Sequence, residues 1–163
     1  MARVELPAGR GPEVARALGL APQFVDVVMA YERAVEQSTL DPRLHELVRY
    51  RIAVINQCTI CLDHRRNAPG VDEDVLARVA TWRDHDDFTA VEKAALDFTE
   101  QFCRDSADID DDLVGDLERL LPSGQVVELA LVVGKYLAMG RFMQVLGLDQ
   151  ACSVPDPQGA VDR

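Results

Sequence analysis

Cys58 and Cys61 stand three positions apart in the stretch INQCTICLDHRR. On a helix that spacing places both side chains on adjoining parts of one face, with backbones about 5–6 Å apart, a span that suits a disulfide. The pair can open and close without moving the chain. If one helix ends at Asn56 and Gln57 and the next begins at Cys58, free backbone amides and the positive end of the helix dipole lower the thiol pKa towards the reactive thiolate. His64 follows Cys61 by three residues and comes within reach of its sulfur. Glu46 lies twelve residues before Cys58, which on a continuous helix is about 18 Å. A turn at Asn56 and Gln57 folds the chain back into an antiparallel helical hairpin, bringing Glu46 abreast of positions 64 and 65, where it meets His64 or Arg65. A relay from Glu46 through His64 to Cys61 would orient the imidazole and move a proton off the thiol. The competing arrangement pairs Glu46 with Arg65, leaves His64 at the surface and packs the cysteines as small apolar groups.

A metal is the third chemistry to weigh. His64 extends the cysteine helix in steps of three that drift about 60° each, so it converges poorly with both sulfurs on one ion. There is no second CxxC or HxxxH, and His45 and His85 are isolated. The residues call for no metal and no other cofactor. Cys103 and Cys152 lack close partners and read as a buried small residue and a tail residue.

The elements that position these groups are helical. The segments GPEVARALG, PQFVDVVMAYERAVEQ and DPRLHELVRYRIAVI each carry a proline near the start and apolar residues at three- and four-residue spacing. DEDVLARVATW, TAVEKAALDFTEQF, DDDLVGDLERLL and SGQVVELALVVGKYLAMGRFMQVLGL open on acidic or hydroxyl residues suited to capping. No segment alternates at period two, and the connections are short and polar, as in an all-α bundle. The helix over 42–56 is apolar nearly all round, with Leu44, Leu47, Val48, Ile52 and Ile55 on one stripe and Tyr50, Ala53 and Val54 on the other side, so it is central. Glu46 then faces protein and needs a partner. Trp82, Tyr136 and Phe142 read as core or interface anchors.

At 163 residues the chain suits one domain, assigned here to residues 1–153 with a flexible tail over 154–163. Its 28 acidic against 17 basic residues give a net charge of −11, which disfavours nucleic acid and anionic membranes as partners. The first residues lack the unbroken apolar core of a secretory signal and no apolar run spans a bilayer, so a cytoplasmic location is expected. A close cysteine pair in a reducing compartment is catalytic or metal-binding more often than structural. Surplus apolar surface on the 42–56 helix and the long last helix predicts a homo-oligomer.

Glu46, eleven intervening residues, Cys58, two residues, Cys61 and a histidine close behind together resemble the signature of the carboxymuconolactone decarboxylase and AhpD-like (alkyl hydroperoxidase) family. The wording LDPRLHELVRYRIAVINQCTICLDH, VEKAALDFTEQF and VVELALVVGKYLAMGRF extends the resemblance across roughly residues 10 to 150. It implies an all-helical subunit that forms dimers, trimers or hexamers, with a thiol–disulfide site in a small cleft. In the AhpD branch the cysteines reduce a small hydroperoxide, become a disulfide, and are recycled by a lipoylated or thioredoxin-like dithiol donor. The lactone decarboxylase branch generally works without the pair. The sequence departs from the pattern at one position: Arg65 stands where the family places its relay histidine. Either His64 takes over proton transfer through a shifted geometry, since one residue turns the side chain by about 100°, or the site has no histidine relay. The resulting expectation is a thiol peroxidase whose catalytic residues are Cys58, Cys61, His64 and Glu46. The alternatives are a non-catalytic redox sensor or scaffold, or an enzyme acting on a small lactone.

Overall fold

In the computed structural model, which describes residues 2–148, eight α-helices follow one another with no strand among the described residues: α1 Glu13–Leu18, α2 Pro22–Glu36, α3 Pro42–Asn56, α4 Thr59–Asp63, α5 Glu73–Arg78, α6 Ala90–Arg104, α7 Asp111–Leu120 and α8 Ser123–Leu146. The bounds of α3 follow directly from local chemistry. Asp41 caps it by accepting from the backbone N–H groups of Arg43 and Leu44 at 2.9 and 3.2 Å, and Pro42 occupies the first turn, where a missing N–H costs nothing. At the other end Gln57 adopts φ 51°, ψ 38°, the left-handed conformation that terminates a helix and redirects the chain. A capping box of Thr89 and Glu92 starts α6 in the same way.

The helix α3 runs through the middle, packed between α6 and α8. Leu44, Val48 and Ile52 enter the main core with Ala95, Phe98, Leu129, Val132 and Val133. Leu47, on another side of α3, closes a second cluster with Leu76, Val79, Trp82 and Leu96. A third, smaller cluster holds Cys58, Met143 and Ala17. Burial on more than one side, with His45, Glu46, Arg49 and Asn56 buried beside the apolar residues, makes α3 the central element from which the cysteine turn hangs.

The stretch DEDVLARVATW departs from the single helix its pattern suggests. It tightens into a 3₁₀ helix over Val79–Asp84, with Thr81 off helical geometry at φ −120°. The Trp82 indole is pulled into the core, donating to the Glu100 carboxylate at 2.9 Å. Glu100 also accepts from Arg51 and Arg83 at 2.7 and 2.6 Å, so a buried acid fixes the end of that segment. Trp82 is a core anchor, as its type suggests. Cys103 is buried and unpaired with another cysteine, whereas Cys152 and the expected tail over 154–163 lie outside the described residues.

The close approach of α8 to the end of α3 depends on Gly140. A side-chain carbon there would sit 2.2 Å from Nδ2 of the buried Asn56. Asn56 instead donates to the Tyr136 carbonyl at 3.4 Å, which locks the last turn of α3 against α8 just before the cysteines.

Candidate active site

The left-handed Gln57 reverses the chain, and the Cys58 N–H donates back to the Ala53 carbonyl at 3.1 Å. Cys58 becomes the N-cap of the short α4, its sulfur accepting the Cys61 N–H at 3.3 Å. This is the antiparallel hairpin that the spacing predicts. Cys58 and Cys61 form a disulfide with Cα atoms 5.2 Å apart, within the range in which the bridge forms without backbone movement. The two sulfurs differ in environment. Cys58 is 1% exposed, packed among Ala17, Met143 and Leu148. Cys61 is half-buried and lines a cavity of about 250 Å³ together with Ile60, His64, Tyr136, Met139 and Met143.

Glu46 is fully buried, and its partner is Arg49, one turn further along α3. Arg49 grips the carboxylate with two bonds, Nε to Oε2 at 2.6 Å and Nη2 to Oε1 at 2.7 Å. The same guanidinium reaches the returning segment of the hairpin, donating to the Cys61 carbonyl at 2.5 Å and the His64 carbonyl at 3.0 Å. The Arg66 N–H donates to Glu46 Oε1 at 3.5 Å. Glu46 therefore does lie abreast of the residues just past α4, but it meets main chain and Arg49 there. Among the described hydrogen bonds it has none to the His64 ring, to Arg65 or to either sulfur. A planar, permanently charged fork satisfies an acid and two carbonyls at once, so the pair positions the Cys61–His64 segment.

His64 sits beyond the end of α4, extended at ψ 130°. It is exposed and no longer on the cysteine helix face, yet it borders the same cavity as Cys61. Arg65 turns elsewhere: it pairs with Glu73 through bonds of 2.8 and 3.2 Å and lies over the Tyr50 ring at 5.4 Å. With Glu46, it borders a separate open cleft of about 590 Å³ that contains neither cysteine. The larger cleft is the poorer candidate, because Cys61 lines the smaller one.

A polar cluster beside that smaller cavity is not evident in the sequence. His45, 3% exposed, places Nε2 at 3.3 Å from the Tyr136 hydroxyl. Arg66 Nη1 donates to that hydroxyl at 3.4 Å and also to Glu36. The Lys135 ammonium pairs with Glu32 at 2.5 Å and lies 4.1 Å from the centre of the Tyr136 ring. The His45–Tyr136 and Arg66–Tyr136 pairs join positions 91 and 70 residues apart, so helical periodicity carries no sign of them. Burial, reinforced by the neighbouring Arg66, Lys135 and Arg49 cations against the opposing pull of Glu36, lowers the His45 pKa from 6.5 to about 4. Burial pushes the Tyr136 hydroxyl up to about 12.

The His45 shift carries a stability consequence. Below the ordinary value of 6.5 the unfolded chain takes up the proton before the folded chain does, so folding loses stability as pH falls from 6.5 to about 4. The loss from this one group approaches an order of 3 kcal/mol. Urea unfolding of the wild type and His45→Gln across that window should show a shallower acid decline for the variant; parallel declines would contradict the assignment.

No group of His, Cys, Asp or Glu residues among the described ones could hold a metal ion, and no described helix is long and apolar enough to cross a membrane. What the cavity offers is sulfur chemistry: a disulfide reached through one half-buried sulfur, with a histidine and a tyrosine at the same walls.

Comparison with known proteins places this arrangement. Residues 22–101, which contain α2, the whole cysteine hairpin and most of α6, match the model of the carboxymuconolactone decarboxylase family. The uncharacterized protein YdfG of Bacillus subtilis (strain 168) is 26% identical over 132 residues, covering 78% of this chain and 90% of its own. Among solved structures, a protein of unknown function from Agrobacterium tumefaciens, for which the name antioxidant defence protein AhpD has been suggested, superposes with a TM-score of 0.71 at 22% identity over 82% of this chain and 93% of its own. An uncharacterized peroxidase-related protein from Silicibacter sp. TM1040 gives 0.72 at 16% identity, covering 90% of each chain. The alkylhydroperoxidase AhpD core of an uncharacterized peroxidase-related protein from Ralstonia eutropha JMP134 gives 0.66 at 19% identity, over 86% of this chain and 77% of its own. The structural likenesses establish the helical fold, the family pattern covers the segment carrying Glu46, Cys58 and Cys61, and the chain belongs to the carboxymuconolactone decarboxylase family, AhpD-like in its fold.

Proposed function

We propose that the protein is a thiol peroxidase in which Cys58 and Cys61 cycle between dithiol and disulfide while reducing a small hydroperoxide. The observation that carries this reading is the asymmetry of the pair: Cys61 faces an apolar cavity and Cys58 is buried behind it. In the cycle the Cys61 thiol loses its proton to His64 and the thiolate attacks the terminal peroxide oxygen. The O–O bond breaks, leaving Cys61 as a sulfenic acid and releasing an alcohol once the departing oxygen gains a proton. The Cys58 sulfur attacks the sulfenic sulfur, a disulfide forms and water leaves with the Cys58 proton. A dithiol donor, lipoylated or thioredoxin-like, then restores both thiols and is itself oxidised. Glu46 acts through Arg49, holding the carbonyls of Cys61 and His64 in place. The names AhpD and peroxidase-related carried by structural relatives point the same way. Peroxide consumption with dihydrolipoamide as donor should fall to background in Cys58→Ser and Cys61→Ser; equal rates in all three proteins would remove the peroxidase reading.

One observation favours a second reading. Arg65, at the family's relay position, is occupied by Glu73, and His64 is exposed. A site without a competent relay would retain the disulfide as a redox sensor with little turnover, which the same assay separates.

The homo-oligomer belongs to the same proposal. Phe24 and Val27 of α2 and Val127 and Leu131 of α8 are each more than half exposed, apolar surface of the kind that subunit contacts cover. Light scattering at micromolar concentration should report a multiple of 18.0 kDa; a lone monomer would refute it.

A further inference from the structure

We propose that Tyr136 is a catalytic residue for the peroxide step, its hydroxyl protonating the oxygen that leaves when Cys61 attacks. This deepens the peroxidase reading and rests on it.

Heterolysis of an alkyl hydroperoxide expels an alkoxide, a strong base, and the barrier falls when a positioned acid delivers a proton as the O–O bond breaks. His64, having taken the thiol proton, is exposed at the mouth. Tyr136 carries the one hydroxyl group among the cavity's lining residues. Its phenol end is held rather than loose. His45 Nε2 lies 3.3 Å from the oxygen, the rings meet edge-on at 5.9 Å, and Arg66 Nη1 donates to the same oxygen at 3.4 Å. Tyr136 and Glu36, whose carboxylate shares that Arg66 nitrogen with the phenol oxygen, both line the cavity that Cys61 lines.

The partners also set the proton's direction. Arg66 is a permanent donor, so the hydroxyl oxygen receives its hydrogen and the tyrosine's own hydrogen is free to point elsewhere. With its proton on Nδ1, the buried, neutral His45 offers the hydroxyl hydrogen a resting acceptor at Nε2, which a departing oxygen can replace. As the proton leaves, negative charge grows on an oxygen beside the Arg66 guanidinium, with the Lys135 ammonium 4.1 Å from the ring centre. The step balances: sulfur gains the terminal OH, the O–O electron pair goes to the alkoxide, and the Tyr136 proton converts it to alcohol. The proton first removed from the Cys61 thiol, carried by His64 and cavity water, returns to the phenolate.

The test uses leaving-group acidity. Fully reduced wild type and Tyr136→Phe are mixed in single turnover with cumene hydroperoxide, which expels a basic alkoxide, or with peracetic acid, which expels a weakly basic acetate, and thiol loss is followed. Tyr136→Phe should slow the cumene hydroperoxide reaction about tenfold or more and the peracetic acid reaction within about twofold. Alkylation of Cys61 by iodoacetamide should be unchanged. Equal slowing with both oxidants would mark a merely structural role, and no slowing with either would overturn the assignment alone. A wild type inert to both would overturn the peroxidase reading and this step with it. If the phenylalanine variant does not fold, 3-fluorotyrosine at position 136 keeps the shape and changes the phenol acidity; an unchanged cumene hydroperoxide rate would then reject the proposal.

Discussion

Arg49→Met should destabilise the protein by about 3–5 kcal/mol, because the substitution leaves the carboxylate of Glu46 buried without its counter-charge. Glu46 has no exposed surface and Arg49 is 4% exposed, so neither can recover solvation by turning outwards. The variant also frees the carbonyls of Cys61 and His64, so peroxide turnover should drop beyond what the loss of folded protein explains. Glu46→Gln strands the cation instead and should cost a similar amount. The double variant Glu46→Leu/Arg49→Met separates the two roles. Exchanging a buried ion pair for apolar groups of similar volume is often close to neutral, so the double variant should regain most of its stability while activity stays low. Urea unfolding paired with the dihydrolipoamide-coupled assay checks both, and recovery of activity along with stability would show that the pair serves folding alone.

Cys61→Ser and Cys58→Ser should both abolish turnover, by roughly a thousandfold or to background, yet by different routes. Cys61 borders the cavity whereas Cys58 is packed in the third core cluster. With Cys61 absent, no thiolate meets the peroxide and the protein should be inert to one equivalent of oxidant. With Cys58 absent, the first step proceeds and Cys61 stops as a sulfenic acid, which dimedone traps and mass spectrometry locates. Trapping on Cys58 in the Cys61→Ser protein, with none in the reverse variant, would exchange the two roles and contradict the assignment drawn from burial.

The helices were legible because each carries its own punctuation. Asp41 and Pro42 open α3, and the apolar residues on nearly every side of it announce a central position that the packing of Leu44, Leu47, Val48 and Ile52 bears out. The hairpin was legible too, since two cysteines three apart beside a required reversal leave few geometries. Glu46 being buried with a partner followed from the face it occupies; the identity of that partner did not. Attention to the returning segment suggests His64 or Arg65, but Arg49 at the i+3 position of the same helix is nearer at hand, and that spacing was the available signal. Arg65 is drawn away by Glu73, eight residues on, through a loop whose path no periodicity dictates. The place of His64 beyond α4 reflects a helix that stops after Asp63, sooner than a continuous cysteine–histidine face requires. The His45–Tyr136 contact joins α3 to α8 across the fold. Only tertiary packing creates it, which is why Tyr136 reads from sequence as a core or interface anchor.

In the proposed cycle these two sulfurs carry two electrons from a donor to a peroxide. Reduced protein, freed of reductant and given one equivalent of cumene hydroperoxide, tests it most directly when thiols are counted and mapped and the alcohol product is quantified together. Two thiols per chain, mapped to Cys58 and Cys61, should be lost, with one equivalent of alcohol formed and both thiols restored by dihydrolipoamide. Persistence of both thiols with the hydroperoxide intact would contradict it.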